Sequence, residues 1–270
     1  MPSIADPHRR SPPSEADSGG CFETMRAYRG RIFRLEAHLD RLEASTAYLG
    51  LRPPVDRRRL SRQLTQALAR SRLREAVVRV ALLPGAGAAA HPIIAVRPVP
   101  SPPAAAYRRG IRVAVVPTRK CSVGAISPQA KYSARLGSVM ATIDATLRGA
   151  DEALFMDAMG SVTESTASNI GVIRRGAIET PPCWLGLLSG ITRDVLRELS
   201  RSLRIPLREL PLTRHDLYNA EEAFLLSTIK EILPVTRIDG RRIADGRPGP
   251  VTLRLHRAFR ALVRRELGGG

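Results

Sequence analysis

The chain has 270 residues, enough for one large or two modest domains, and 43% hydrophobic against 25% charged residues allows a sizeable globular core. It contains no run of eighteen apolar residues and no apolar N-terminal segment of the secretory kind, so the expectation is a cytoplasmic protein without a membrane span. The formal net charge of +18 raises nucleic-acid binding, but arginines alternate with glutamates and aromatic residues reach only 4%, too few for a base-stacking platform.

Residues 1–18 are polar and proline-containing without periodicity, which predicts a disordered arm. Order is expected from Cys21, with Phe22–Tyr28 and Arg31–Leu35 flanking Arg29-Gly30 as a β-hairpin. Apolar residues at helical spacing predict one helix over 36–49, closed by Gly50, and a second over 56–72. The second carries Leu60, Leu64, Ala67 and Leu68 on its apolar face, and Arg57, Arg58, Arg59, Arg62 and Arg70 on its solvated one. Residues 76–83 and 92–97 read as strands, and the proline-rich stretch 98–103 marks a boundary. A strand at 111–116 and a loop to residue 130 then join the two halves.

Beyond that loop the pattern predicts a helix over 134–148 and short strands at 152–157, 161–163, 169–173 and 177–180. A helix over 192–203, a strand at 223–226, a hairpin at Asp239-Gly240 and a terminal helix over 250–266 complete it. The expected organisation is a small α/β domain (19–110), an interdomain strand and loop (111–130) and a larger domain (131–270). Cys21, Cys121 and Cys183 are odd in number and form no Cys-x-x-Cys pair, so neither a disulfide framework nor a metal site is expected.

Only Lys120, Lys131 and Lys230 are lysines, beside forty arginines. Arginine replaces lysine wherever only a cation is needed, yet it cannot form a Schiff base, which makes a retained lysine a candidate nucleophile. Lys131 has further support, because it lies upstream of two anion-binding signals and a lone acidic motif. Gly190-Ile191-Thr192 opens an amphipathic helix whose free N–H groups suit a phosphate, although Thr192 as an ordinary N-cap would explain it equally well. Ser227-Thr228 supplies hydroxyls where an apolar strand runs out. Glu164 sits in the hydroxyl-rich run Ser161–Asn169, where a buried carboxylate requires a cationic partner. Arg41 on the first helix has a fork suited to phosphate, against the default of a surface ion pair with Glu36 or Glu43.

Together these runs resemble the class IV aminotransferases, the fold type IV pyridoxal-phosphate enzymes. The matching segments are Phe22-Glu-Thr24 with His38-Leu-Asp-Arg-Leu42, Lys131, Ala150–Leu154 with Val162-Thr-Glu164 and Ser168-Asn169. Thr180-Pro-Pro182, Leu188–Arg193 and Glu222–Pro234 follow, and the tail from Ile238 to Thr252 looks like the branched-chain branch. The resemblance implies a two-domain α/β fold, an N-terminal α/β sandwich followed by a pseudo-barrel, and pyridoxal 5'-phosphate as cofactor. It makes Lys131 the catalytic residue joined to the cofactor and sets Glu164 against the pyridine nitrogen. Arg41, Ile191, Thr192 and Thr228 would hold the phosphate, Leu188 would pack on the ring, and the main chain of Ile229 would meet substrate.

The resemblance also implies a homodimer or higher oligomer acting on small amino acids and 2-oxo acids, with apolar branched-chain L-amino acids as expected donors and 2-oxoglutarate as acceptor. Leu136 stands where the branched-chain branch has a tyrosine, and Arg135-Leu136 looks closer to the lyase and D-amino-acid branches. Aminodeoxychorismate lyase and D-amino-acid aminotransferase are thus the alternatives, with a non-catalytic or nucleic-acid-binding relative as a third.

Overall fold

The computed structural model describes residues 19–52, 56–84, 90–100, 102, 104–119 and 126–268. The expected arm at 1–18 lies outside these residues, as do Lys120, Cys121 and Gly124. Strand β1 (Cys21–Tyr28) pairs antiparallel with β2 (Arg31–Ile32) and with β3 (Ala76–Pro84), and β3 pairs with β4 (Ala90–Pro98). Arg29 and Gly30 both take left-handed φ values, +53° and +78°, as a two-residue hairpin turn matching strand twist requires.

Helices α1 (Leu35–Tyr48) and α2 (Arg57–Ser71) cover one face of this sheet, setting Leu39, Leu42, Leu60, Leu64 and Leu68 against Met25, Val78 and Val80. Asp56 caps α2 by accepting from the Arg59 N–H at 2.7 Å, and Arg57 bonds Glu36, Asp40 and Glu43. The two expected surface partners of Arg41 are therefore committed to a different arginine. Because side chains alternate along a strand, Cys21, Met25 and Ala27 of β1 join the core beneath the helices. Phe22, Arg26 and Tyr28 face the rest of the chain.

The second sheet closes on itself. Strands β5 (Ile111–Arg119), β6 (Glu152–Met156), β7 (Val162–Ser165), β8 (Asn169–Arg174), β11 (Glu222–Ser227) and β12 (Glu231–Ile238) form a ring in the order β8-β11-β12-β5-β6-β7, with β7 paired back to β8. β9 (Ala177–Thr180) and β10 (Leu207–Glu209) extend the sheet beyond β8, and β13 (Arg241–Arg242) pairs with β12 across Asp239-Gly240. Val113, Val115, Leu154, Ile170, Val172, Leu225 and Leu233 share the interior cluster. On the outside, α4 (Leu136–Leu147) covers Ala114, Val116, Ala153 and Phe155 through Ala141 and Ala145. Helices α5 (Ile191–Ser202) and α7 (Pro250–Leu267) cover Phe224, Leu226 and Ile232. Both faces of β6, β8 and β11 are largely buried, which is why residues 153–156, 170–173 and 223–226 read as near-continuous apolar runs rather than alternating ones.

Several elements differ from expectation. β5, expected to be part of a connecting segment, is itself a barrel strand hydrogen-bonded to β12 and β6. β12 is hidden in the sequence because Pro234, which lacks an N–H, reads as a strand breaker, yet it stands opposite Phe224 in the ladder. The short helices α3 (Ala104–Arg109) and α6 (Arg214–Tyr218) carry too few residues for a period to register.

Candidate active site

Between the barrel-facing side of β1 and one end of the barrel lies a cavity of about 400 Å³. Its wall includes all eight residues singled out from the sequence: Arg41, Lys131, Glu164, Leu188, Ile191, Thr192, Thr228 and Ile229. They come from stretches of chain far apart in sequence.

Lys131 is held at its main chain from both sides, its N–H donating to the Ser45 hydroxyl at 3.0 Å and its carbonyl accepting from the Phe22 N–H at 3.0 Å. Its Nζ lies 4.7 Å from the centre of the Phe22 ring. Burial and the nearby Arg41 guanidinium bring the amine down to a pKa of about 8, with Glu23 opposing. A sizeable neutral fraction then exists at ordinary pH, as a nucleophilic amine requires.

Arg41 is clamped by Glu23, a fully buried carboxylate that accepts from its Nε at 2.6 Å and from a terminal nitrogen at 2.9 Å. Burial alone would raise the Glu23 pKa, but Arg41 and the His38 ring at 2.8 Å outweigh it and hold it at about 2. The other terminal nitrogen of Arg41 donates to the Ser189 carbonyl at 2.8 Å, which ties α1 to the segment leading into α5.

Glu164 is fixed by two donors, the Leu188 N–H at 3.1 Å and the Asn169 amide at 3.2 Å. Asn169 also donates to the Leu188 carbonyl at 3.0 Å, so one side chain sets both the carboxylate and the segment leading to α5. Gly190, not Thr192, is the N-cap of α5, and no side chain caps the helix there. Thr192 sits inside the first turn, and the leading N–H groups of α5 have no partner within the helix. A Cβ at Gly190 would stand 2.1 Å from Asn169 Oδ1, so only glycine permits this approach. Thr228 and Ile229 lie in the turn between β11 and β12, where the Ile229 carbonyl accepts from Arg26 at 2.9 Å.

The family model for amino-transferase class IV matches residues 20–238. The chain belongs to this family. The branched-chain-amino-acid aminotransferase of Pseudomonas aeruginosa is 34% identical over 90% of this chain and 84% of its own. A D-alanine aminotransferase of Listeria monocytogenes is 30% identical over 92% and 88%. A crystal structure of the T.th. branched-chain amino acid aminotransferase with pyridoxamine 5'-phosphate superposes at a TM-score of 0.85, with 29% identity, covering 89% of this chain and 84% of that one. Class IV aminotransferases use pyridoxal 5'-phosphate, and the closed barrel beside a four-stranded layer is their fold type IV architecture.

The cavity of this aminotransferase suits that cofactor. Ser165 and Ser168, both on its wall, bury hydroxyls that have no hydrogen-bond partner among the described residues. Buried polar atoms are rarely left so unless a ligand or water meets them. A lysine with a buried amine and no salt-bridge partner among the described residues, a carboxylate held by two donors and a helix N-terminus bordered by an arginine and two threonines suit an aldehyde, a pyridine nitrogen and a phosphate. Among the described residues no group of three potential metal ligands occurs, and no helix is long and apolar enough to cross a membrane.

Three contributors carry no role legible in the sequence. Glu23 and Asn169 act only through contacts made across elements, and the Phe22-Glu23-Thr24 and Ser168-Asn169 runs are the available signals. Glu231 is the third: buried at 1% exposure, it takes Arg26 at 3.0 Å, the Tyr28 hydroxyl at 2.9 Å and His256 at 2.9 Å. It thereby ties β1 to the turn bearing Thr228 and Ile229.

Proposed function

We propose that this aminotransferase moves the amino group of a branched-chain or other apolar L-amino acid to a 2-oxo acid such as 2-oxoglutarate, in two half-reactions of the ping-pong type. The observation that carries this reading is the convergence of Lys131, Glu164 and the α5 N-terminus on one cavity whose remaining wall includes Phe22, Ala134 and Leu226. The likeness to the Pseudomonas aeruginosa branched-chain enzyme supports the donor class.

Arg41, the first N–H groups of α5, and the hydroxyls of Thr192 and Thr228 would hold the phosphate, while Lys131 would bear the cofactor and Leu188 would pack on its ring. When bound, the protonated pyridine ring supplies an electron sink for the charge left at the substrate Cα. Glu164, held by Leu188 and Asn169, keeps its carboxylate aimed at the ring nitrogen. Lys131 Nζ, set free when substrate takes its place, is positioned to remove the Cα proton and to hold and release it again as general base and acid. The main chain of Ile229 receives the substrate carboxylate. One oxo acid leaves before the second enters, which yields parallel double-reciprocal plots.

The active unit is a homodimer. Supporting this, α4 presents Leu136, Val139, Met140, Ile143 and Leu147 to solvent as a single apolar stripe, with Leu136 76% and Leu147 82% exposed. The helix begins one residue after Arg135 of the cavity wall, so a second copy seated there would border the mouth.

The test is glutamate formation from L-leucine and 2-oxoglutarate by the holoenzyme, and its reduction by roughly a hundredfold or more in Lys131→Ala. Turnover of D-alanine without L-leucine would favour the D-amino-acid reading, which the Listeria monocytogenes likeness supports. Release of pyruvate with no added acceptor would favour the lyase.

A further inference from the structure

Leu187, Leu188 and Ser189 lead into Gly190, and every main-chain polar atom from the Leu187 carbonyl to the Ser189 carbonyl is taken by a side chain. Leu188 turns its own N–H and carbonyl to Glu164 at 3.1 Å and to Asn169 at 3.0 Å. On the other edge the Leu187 carbonyl accepts from the Gln129 amide at 2.7 Å, and the Ser189 N–H donates to the Gln129 amide oxygen at 3.2 Å. This alternation is the bonding habit of an extended strand, with one glutamine amide standing in for a neighbouring chain.

Gln129 belongs to the loop that carries Lys131. Pro128, Ala130 and Lys131 line the cavity, as Leu188 does, whereas Gln129, Leu187 and Ser189 do not. The amide therefore grips the Leu188 segment from behind the wall. The loop is fastened at its other side to α1, where the Ser127 N–H donates to the Tyr48 hydroxyl at 2.7 Å and the Lys131 N–H to the Ser45 hydroxyl at 3.0 Å. Gln129 is exposed, so water would serve its amide equally well, and ordering the side chain costs rotamer freedom. Two bonds to a single segment offset that cost and fix the segment relative to the loop.

We propose that Gln129 is a positioning residue for the cofactor. Its amide sets the spacing between Lys131 and Leu188, so that the amine and the ring-packing side chain meet one cofactor together. Through the Leu188 N–H it also steadies the Glu164 carboxylate. The proposal rests on the cofactor placement given above.

The experiment compares the unaltered enzyme with Gln129→Met, which keeps the length of the side chain and removes both hydrogen bonds. Spectral titration of the apoenzymes with pyridoxal phosphate reads affinity without turnover. Gln129→Met should weaken it by about tenfold, with the melting temperature of the apoenzyme unchanged. In turnover of L-leucine with 2-oxoglutarate, kcat should fall roughly tenfold while KM for L-leucine stays within about twofold, because the Ile229 main chain is untouched. In a Leu188→Ala background the same substitution should have little further effect on cofactor affinity, since the two residues act as one unit. Additive losses would overturn the proposal, as would a raised KM with kcat kept, or a lowered apoenzyme melting temperature with cofactor affinity intact. If the unaltered apoenzyme gives no Lys131-dependent absorbance band, the cofactor placement itself fails and the proposal with it. A band whose affinity ignores Gln129→Met overturns the role of Gln129 alone.

Discussion

The amine of Lys131 illustrates how position changes the chemistry of a single side chain. With a pKa of about 8 instead of 10.5, its neutral form at pH 7.5 is more abundant by roughly two hundredfold. The sign is fixed by its surroundings: burial and Arg41 disfavour the charged form, so the amine is freed as pH rises through about 8 rather than above 10. Capture of pyridoxal phosphate by the apoenzyme, followed as growth of an absorbance band, should therefore accelerate with a midpoint near pH 8 and be absent in Lys131→Ala. Arg41→Gln should move that midpoint upward, since it removes a repelling charge; an unshifted midpoint would show that burial acts alone. Lys131 is legible in the sequence because its retention in an arginine-rich chain is a compositional signal. Glu23 is not, because nothing local distinguishes a strand carboxylate facing a helix arginine from one facing water.

Among the elements, α5 shows what a sequence motif conveys and what it omits. The spacing of Val195, Leu196 and Leu199 marks the helix, and Gly190-Ile191-Thr192 marks its anion-binding end. The cap itself is not legible, because both glycine and threonine serve there, and the choice depends on Asn169 lying 2.1 Å from any Cβ at residue 190. Gly190→Ala should displace Asn169, loosen Glu164 and weaken pyridoxal-phosphate binding by roughly 10- to 100-fold in spectral titration, with the circular dichroism of the fold kept. Undiminished affinity would mean that the helix end shifts without disturbing the carboxylate. Barrel strands are legible as apolar runs, but their order is not, since ring closure depends on partners far apart in sequence, such as Val235 of β12 and Ile111 of β5.

At the scale of the whole molecule, the surplus of positive charge makes copies of the chain repel one another, yet α4 keeps an apolar stripe uncovered. Val139→Asp with Ile143→Asp should convert the proposed dimer to monomer in light scattering; dimers persisting in this variant would place the interface elsewhere. The closure of the barrel has a wider consequence. β7 meets β8 at the rung Glu164↔Asn169, so the seam of the ring includes the carboxylate proposed to face the ring nitrogen. A slip of one place along that seam would turn the carboxylate to the opposite side of the sheet. With Glu164 in its proposed role, a chain that closed out of step would forfeit its chemistry, and cofactor capture would report correct assembly.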